Sequence, residues 1–177
     1  MTEIRPGFSG DLNLIMKVHL EAFGATEGKE ISNLVKDLIH DQSANPTLSL
    51  VAVQNQKIVG HVLFTPVEIC DHPEFKAQIL APLGVDPKYQ KQGIARKLIE
   101  KGLEKLKQND TDLIFVLGDP KIYHKFGFKT ASGFTAPHPI PDQHQDAWMV
   151  QNLTGIQTKK LYQVKCSTVL GDPKYWL

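Results

Sequence analysis

The chain has little cysteine, no excess of charge of either sign and no long apolar run. Its 177 residues include two cysteines, Cys70 and Cys166. They form no CxxC pair and no metal-ligand spacing, so neither a metal knot nor a disulfide scaffold is expected, and both thiols are expected to be reduced. Twenty Lys and Arg stand against nineteen Asp and Glu, a formal charge of +1. The basic stripe that marks a nucleic-acid-binding domain is missing. The densest basic stretch, Lys97 to Lys107, alternates with Glu100 and Glu104 and reads as the solvated face of a helix. No segment approaches the ~18 apolar residues of a membrane-spanning helix, and Met1-Thr2-Glu3-Ile4-Arg5-Pro6 is not an apolar signal region. These absences point to a cytoplasmic protein without nucleic-acid, membrane or metal partners. Two phosphate motifs are also missing: Gly-x-x-x-x-Gly-Lys-[Ser/Thr] and Gly-x-Gly-x-x-Gly. Gly-Asp-Pro-Lys occurs twice, at 118–121 and 171–174, and is a turn signal in both places.

What is present is an ordinary globular composition, 41% hydrophobic and 22% charged. A chain of this length can bury about two-thirds of its unfolded surface, and one domain over residues 1–177 is expected. Ile4 opens a short strand. Leu12, Ile15, Met16, Leu20 and Phe23 recur at helical spacing, as do Ile31, Leu34, Val35, Leu38 and Ile39, with a turn over Gly24–Gly28 between them. Leu48–Val53 and Ile58–Phe64 form a hairpin about Asn55-Gln56. Ile79–Val85 is a third long strand. Gly93–Leu106 is a helix with Ile94, Leu98, Ile99, Leu103 and Leu106 on one face. Leu113–Leu117 is wholly apolar, as for a strand covered on both faces. Ile122–Phe126 allows a helical turn or two. Ser132–Gln145 is a loop, and Ala147–Val150 and Leu161–Val169 are strand-like. The order predicts an α/β (α+β) three-layer fold, a mixed sheet of six to seven strands flanked by helices. The step from Ile79–Val85 through a helix to Leu113–Leu117 reads as a parallel crossover.

The chemistry concentrates in residues 79 to 128. A strand ends at Val85, Asp86-Pro87 turns the chain, and Gln90-Lys91-Gln92-Gly93-Ile94-Ala95 opens a helix. A helix start has four backbone N–H groups without partners, and with the helix dipole they make an anion site. Gly93 lets a phosphate approach the backbone, Ala95 is small, and Lys91, Arg96 and Lys97 add positive charge, so a diphosphate is the expected guest. Pro82 and Gly84 interrupt the preceding strand, as a bulge or a gap for a ligand would. Tyr123-His124-Lys125-Phe126-Gly127-Phe128 follows the Leu113 strand directly.

These features resemble the GNAT superfamily of acetyltransferases, of the bacterial small-molecule or uncharacterised type. Gln90 to Ala95 match its Gln/Arg-x-x-Gly-x-Gly/Ala motif, and Tyr123, Gly127 and Phe128 match its Tyr-x-x-x-Gly-Phe. The resemblance implies a V-shaped sheet with acetyl-CoA between the splayed Ile79 and Leu113 strands. It implies a pantetheine arm along Leu83, Gly84 and Val85 and a pyrophosphate on Gln90, Lys91, Gln92, Gly93, Ile94 and Ala95, with Arg96 and Phe126 beside the cofactor. Tyr123 would face the thioester sulfur as general acid. The implied reaction is direct acetyl transfer to a primary amine, by a monomer or homodimer; the alternative is a non-catalytic acyl-CoA-binding module, and a nucleotide-dependent phosphotransferase is a further rival. Family members often carry a glutamate where this chain has Gln78-Ile79-Leu80-Ala81, so the base falls to Glu21, Glu27 or Glu68. They often carry an asparagine where this chain has Gly118-Asp119-Pro120, and Asp119 is expected to cap the short helix. His138, Asp142, His144 and Asp146 match no metal pattern and suggest an acceptor loop. Trp148 and Trp176 are expected in the core.

Overall fold

A computed structural model describes residues 1–176. Along the chain lie β1 (Glu3–Pro6), α1 (Leu12–His40), β2 (Leu48–Gln54), β3 (Lys57–Ile69), β4 (Ala77–Val85), α2 (Ile94–Gln108), β5 (Leu113–Leu117) and α3 (Pro120–Tyr123). They are followed by β6 (Lys129–Thr130), β7 (Phe134–Thr135), β8 (Trp148–Asn152) and β9 (Tyr162–Lys165). The strands pair in the order β1-β2-β3-β4-β5-β8-β6, with β9 joined to β3 and β7. β4 and β5 run parallel through the α2 crossover, and the neighbouring ladders on both sides are antiparallel. This is the mixed, helix-flanked sheet that the pattern predicts, with nine strands among the described residues where six to seven are expected, because the short β6 and β7 carry too few residues to show a pattern.

Alternation along β3 divides the interior into two layers. Val62 and Phe64 join Leu80, Ile114 and Val116 under Ile94, Leu98 and Ile99 of α2. Leu63 joins Ile79 and Phe115 under Leu34 and Leu38 of α1. Each such side chain contributes about 1.5–3 kcal/mol by leaving water. Trp148 and Trp176 are buried in the α1 layer, and their indole N–H groups donate to Phe134 O (2.9 Å) and Leu170 O (2.8 Å).

Two features open the sheet. The β4–β5 ladder pairs Ala77 with Leu113 and ends at Ile79 opposite Phe115. β4 runs on to Val85 with its β5-facing edge unpaired, which is the V. On its other edge β4 pairs Leu83 with Val62 and Leu80 with Phe64. It therefore carries an extra residue at Ala81-Pro82, the bulge expected where proline interrupts a ladder.

Three boundaries differ from the sequence expectation. The turn over Gly24–Gly28 shrinks to one residue: Gly24 alone leaves the helical region, at φ 74° and ψ −172°, a conformation open to glycine. Gly28 lies inside the resumed helix, buried against the Leu20 carbonyl. β3 continues past Phe64 to Ile69, because Thr65, Pro66 and Glu68 break the apolar pattern but not the pairing, which runs on to β4 and β9. The last strand ends at Lys165 rather than Val169; beyond it Thr168 N and Val169 N donate to Ser43 Oγ and Asp41 Oδ2, both at 2.9 Å, after the end of α1.

Candidate functional site

The loop after β4 is folded by its own polar side chains. Asp86 Oδ1 accepts from Lys88 N at 2.9 Å. Gln90 Nε2 donates to Val85 O at 3.0 Å, so the motif glutamine braces the loop against the end of the strand. The chain then passes Lys91 (φ 62°) and Gly93 (φ 77°), both left-handed. α2 starts without a side-chain cap, and its first main-chain bond runs from Lys97 N to Gly93 O at 3.1 Å. The N–H groups of Ile94, Ala95 and Arg96 thus have no carbonyl within the helix. A Cβ on Gly93 would meet nothing within 4 Å, so this end of the helix is open, and Lys91, Gln92 and Lys97 are exposed around it. The arrangement fits an anionic group held by backbone donors. Arg96 Nε donates to Glu100 Oε1 at 2.8 Å, an exposed pairing one turn along the helix.

Tyr123 closes α3 and is 8% exposed. Asp119 caps that helix, as expected, by accepting from Lys121 N at 2.9 Å, with Pro120 in the first turn. The Tyr123 ring meets Phe128 edge-on, centroids 5.7 Å apart. Burial pushes its hydroxyl up to about 12, so it is a proton-bearing donor throughout the neutral range. Tyr123, Val85 and Ile94 share one apolar cluster, against which Leu83, Ala95 and Phe126 pack half-buried. The end of β4, the start of α2 and the tyrosine turn therefore border one apolar cluster.

The missing side chain of Gly84 makes room for a histidine. A Cβ there would lie 2.8 Å from His19 Nδ1 and 3.1 Å from His19 Cε1. His19, on α1, shares a 2.8 Å hydrogen bond from Nε2 to His61 Nδ1, and His61 Nε2 pairs with Ser49 Oγ at 2.9 Å. Both histidines are fully buried. Burial lowers His19 to about 4 and pushes His61 well below the usual range, so both rings are neutral. The sequence reading missed this chain; its signal was a histidine within the apolar stripe of α1 and another within the apolar run of β3.

Of the candidate bases, Glu21 comes near the end of β4, where it lines a cavity with Asp86, Lys88 and Tyr89. Glu68 lies beyond the β3 pairing of Val67 with Ala77, whereas Leu83 pairs with Val62, a distance of about 15–20 Å along the strands. Glu21 and Glu27 are exposed on α1. In the late loop, His138 Nε2 lies 2.6 Å from Gly171 O. His138 and Asp142 line a cavity of about 660 Å³ with Phe134, Ile140 and Trp148, while Asp146 and His144 are exposed in the following turn.

The profile of the acetyltransferase (GNAT) domain family matches residues 3–131. The chain belongs to the GNAT acetyltransferase family. It is 39% identical over 163 residues to an uncharacterised N-acetyltransferase, YjhQ, of Escherichia coli strain K12, covering 89% of this chain and 87% of the relative. The GNAT N-acetyltransferase YhbS of Escherichia coli, solved in complex with CoA, superposes with a TM-score of 0.81 at 28% identity, over 96% of this chain and 91% of that one. A GNAT acetyltransferase from Brucella melitensis, solved with acetyl-CoA, gives a TM-score of 0.77 at 27% identity, over 96% and 98% of the two chains. No helix among the described residues is long and apolar enough to cross a membrane.

Proposed function

We propose that this GNAT chain transfers the acetyl group of acetyl-CoA directly to a primary amine, within one domain over residues 1–177. The observation that carries the reading is the junction of two unsatisfied backbone sets. The edge of β4 is unpaired beyond Ile79, and the uncapped start of α2 lies beside it. An amide-bearing arm ending in a diphosphate complements both: amides pair with the strand at Leu83, Gly84 and Val85, and phosphates take the N–H groups from Gln92 to Ala95. Gln90 holds the loop, Lys91 supplies charge, and Arg96 contributes its N–H while its guanidinium stays on Glu100. Phe126 walls the opening.

Acetyl-CoA supplies an activated thioester. Strand N–H groups at the end of β4 polarise its carbonyl, and Tyr123, held protonated by burial, donates to the departing sulfur. Tyr123→Phe is expected to lower kcat by about 100-fold with little change in acetyl-CoA affinity; an unchanged kcat on a true acceptor removes Tyr123 from this role. Thiol release from acetyl-CoA across a panel of primary amines tests the reading itself. Turnover with at least one amine supports it. Tight acetyl-CoA binding without turnover on any amine would instead support a non-catalytic acyl-CoA-binding module.

A further inference from the structure

The His19–His61–Ser49 chain ties three elements together behind the proposed cofactor strand. His61 stands opposite Gly84 in the β3–β4 ladder. His19 reaches down from α1, and its Nδ1 has no hydrogen-bond partner among the described residues. That nitrogen faces the bare Cα of Gly84, where a Cβ would sit only 2.8 Å away. An N–H aimed there would be buried without an acceptor, whereas a bare ring nitrogen can receive a weak Cα–H contact. The bonds therefore run one way: His19 Nε2–H donates to His61 Nδ1, and His61 Nε2–H donates to Ser49 Oγ. Two coupled, neutral rings hold the His19 ring in one orientation, and the ring is pressed on the strand just beyond the Ala81-Pro82 bulge. A bulge frees a strand from its ladder register, so a contact made immediately after it fixes what the bulge leaves loose. Phe23 stacks on His19, centroids 6.0 Å apart, and the next residue is the Gly24 break in α1.

We propose that His19 is a positioning residue for the acetyl-CoA arm, holding Leu83–Val85 in place through Gly84 and linking that strand to the Gly24 break of α1. The proposal rests on the reading that the arm pairs with this stretch. Its role is specific to one half of the cofactor: the α2 start, held by Asp86 and Gln90, does not depend on His19.

Two probes separate the halves, acetyl-CoA and adenosine 3′,5′-bisphosphate, titrated by calorimetry against the full chain. In wild type, acetyl-CoA binds more tightly than the bisphosphate; equal affinities would defeat the reading of the strand, independently of His19. In His19→Ala the acetyl-CoA Kd rises about tenfold, as for roughly one lost packing contact, while the bisphosphate Kd stays the same. Gly84→Ala gives the same selective loss from the other side of the contact, and so tests the proposal should His19→Ala fold poorly. In the double variant the added methyl fills part of the space that the ring vacated, and acetyl-CoA affinity recovers toward wild type. An unchanged acetyl-CoA Kd in both single variants overturns the proposal. So does an equal loss for both probes, which would mark general loosening of the fold, or a double variant no better than the worse single one.

Discussion

The ring of Tyr123 occupies the space that a side chain on Gly118 would fill: a Cβ there would lie 2.5 Å from Cε2 and 3.1 Å from Cδ2. The glycine at the end of β5 thus sets where the phenol sits, with Phe128 closing the other side. Gly118→Ala must displace the ring, because the neighbour is a rigid aromatic edge rather than a flexible chain end. Its kcat should fall toward that of Tyr123→Phe, and combining the two should cost little more than either alone, since both act on the same hydroxyl. Steady-state kinetics on an acceptor found by the thiol-release panel would check this. Additive losses would mean that Gly118 acts elsewhere.

The buried histidines make a pH prediction of definite sign. His19 is lowered from 6.5 to about 4, so the folded state favours its neutral form. The stability this provides is fully present above pH 6.5 and is lost progressively as pH falls from 6.5 to about 4, amounting to roughly 3 kcal/mol for His19. His61 acts in the same direction, and charging one ring opposes charging the other. Urea unfolding at pH 7.5 and pH 4.5 should show this loss in wild type and a clearly smaller one in a His19→Leu/His61→Leu variant. Equal losses would place the acid sensitivity in the carboxylates.

The parts legible in the sequence are those fixed by neighbours along the chain. Leu113–Leu117 is an apolar run bounded by Asp112 and Gly118, and its limits were read to the residue. The anion-binding shape of Gln90–Ala95 is likewise local, because a helix start and a left-handed glycine need no distant partner. What was lost depends on contacts across the fold. The neighbour of Gly84, His19, lies far away in sequence and meets it only when α1 covers β4. The return of the Gln90 amide to Val85 is likewise invisible in the motif itself. The extension of β3 comes from pairing of Pro66 and Val67 with β4 and of Glu68 and Ile69 with β9, which follows nearly a hundred residues later.

The scattered glutamates lead to a prediction about the amine. Glu68 lies at the far end of β3, and Glu21, exposed beside Asp86 and Tyr89, is the competing base; the acceptor's own ionisation is expected to govern its reactivity. An alkylamine with a pKa near 10.4 is neutral in only about one molecule in 2,500 at pH 7. kcat/KM should therefore rise about tenfold per pH unit from pH 6 toward the acceptor pKa, without an earlier plateau. Tyr123 produces no falling limb in this range, because burial holds its hydroxyl at about 12. A plateau near pH 7 would reveal a protein base.

The loop at the start of α2 yields the last prediction. Gln90 spends its side chain on Val85 O, 3.0 Å away, between the strand that would hold the arm and the helix that would hold the phosphates. Gln90→Ala removes that brace without removing any ligand contact. The acetyl-CoA Kd should rise about fivefold, the worth of one ordinary hydrogen bond, with kcat unchanged at saturating cosubstrate. Gly93→Ala acts on the same loop by strain: at φ 77° a side chain costs about 1–2 kcal/mol in backbone energy. It also places a methyl on the open side of the helix start, so its affinity loss should exceed that of Gln90→Ala. Lys91→Gln with Lys97→Gln should leave the loop intact but flatten the salt dependence of binding, because charge rather than geometry is removed. Calorimetric titrations at two ionic strengths would distinguish these cases, and a salt dependence unaffected by removing both lysines would exclude Lys91 and Lys97 as charges on the diphosphate site.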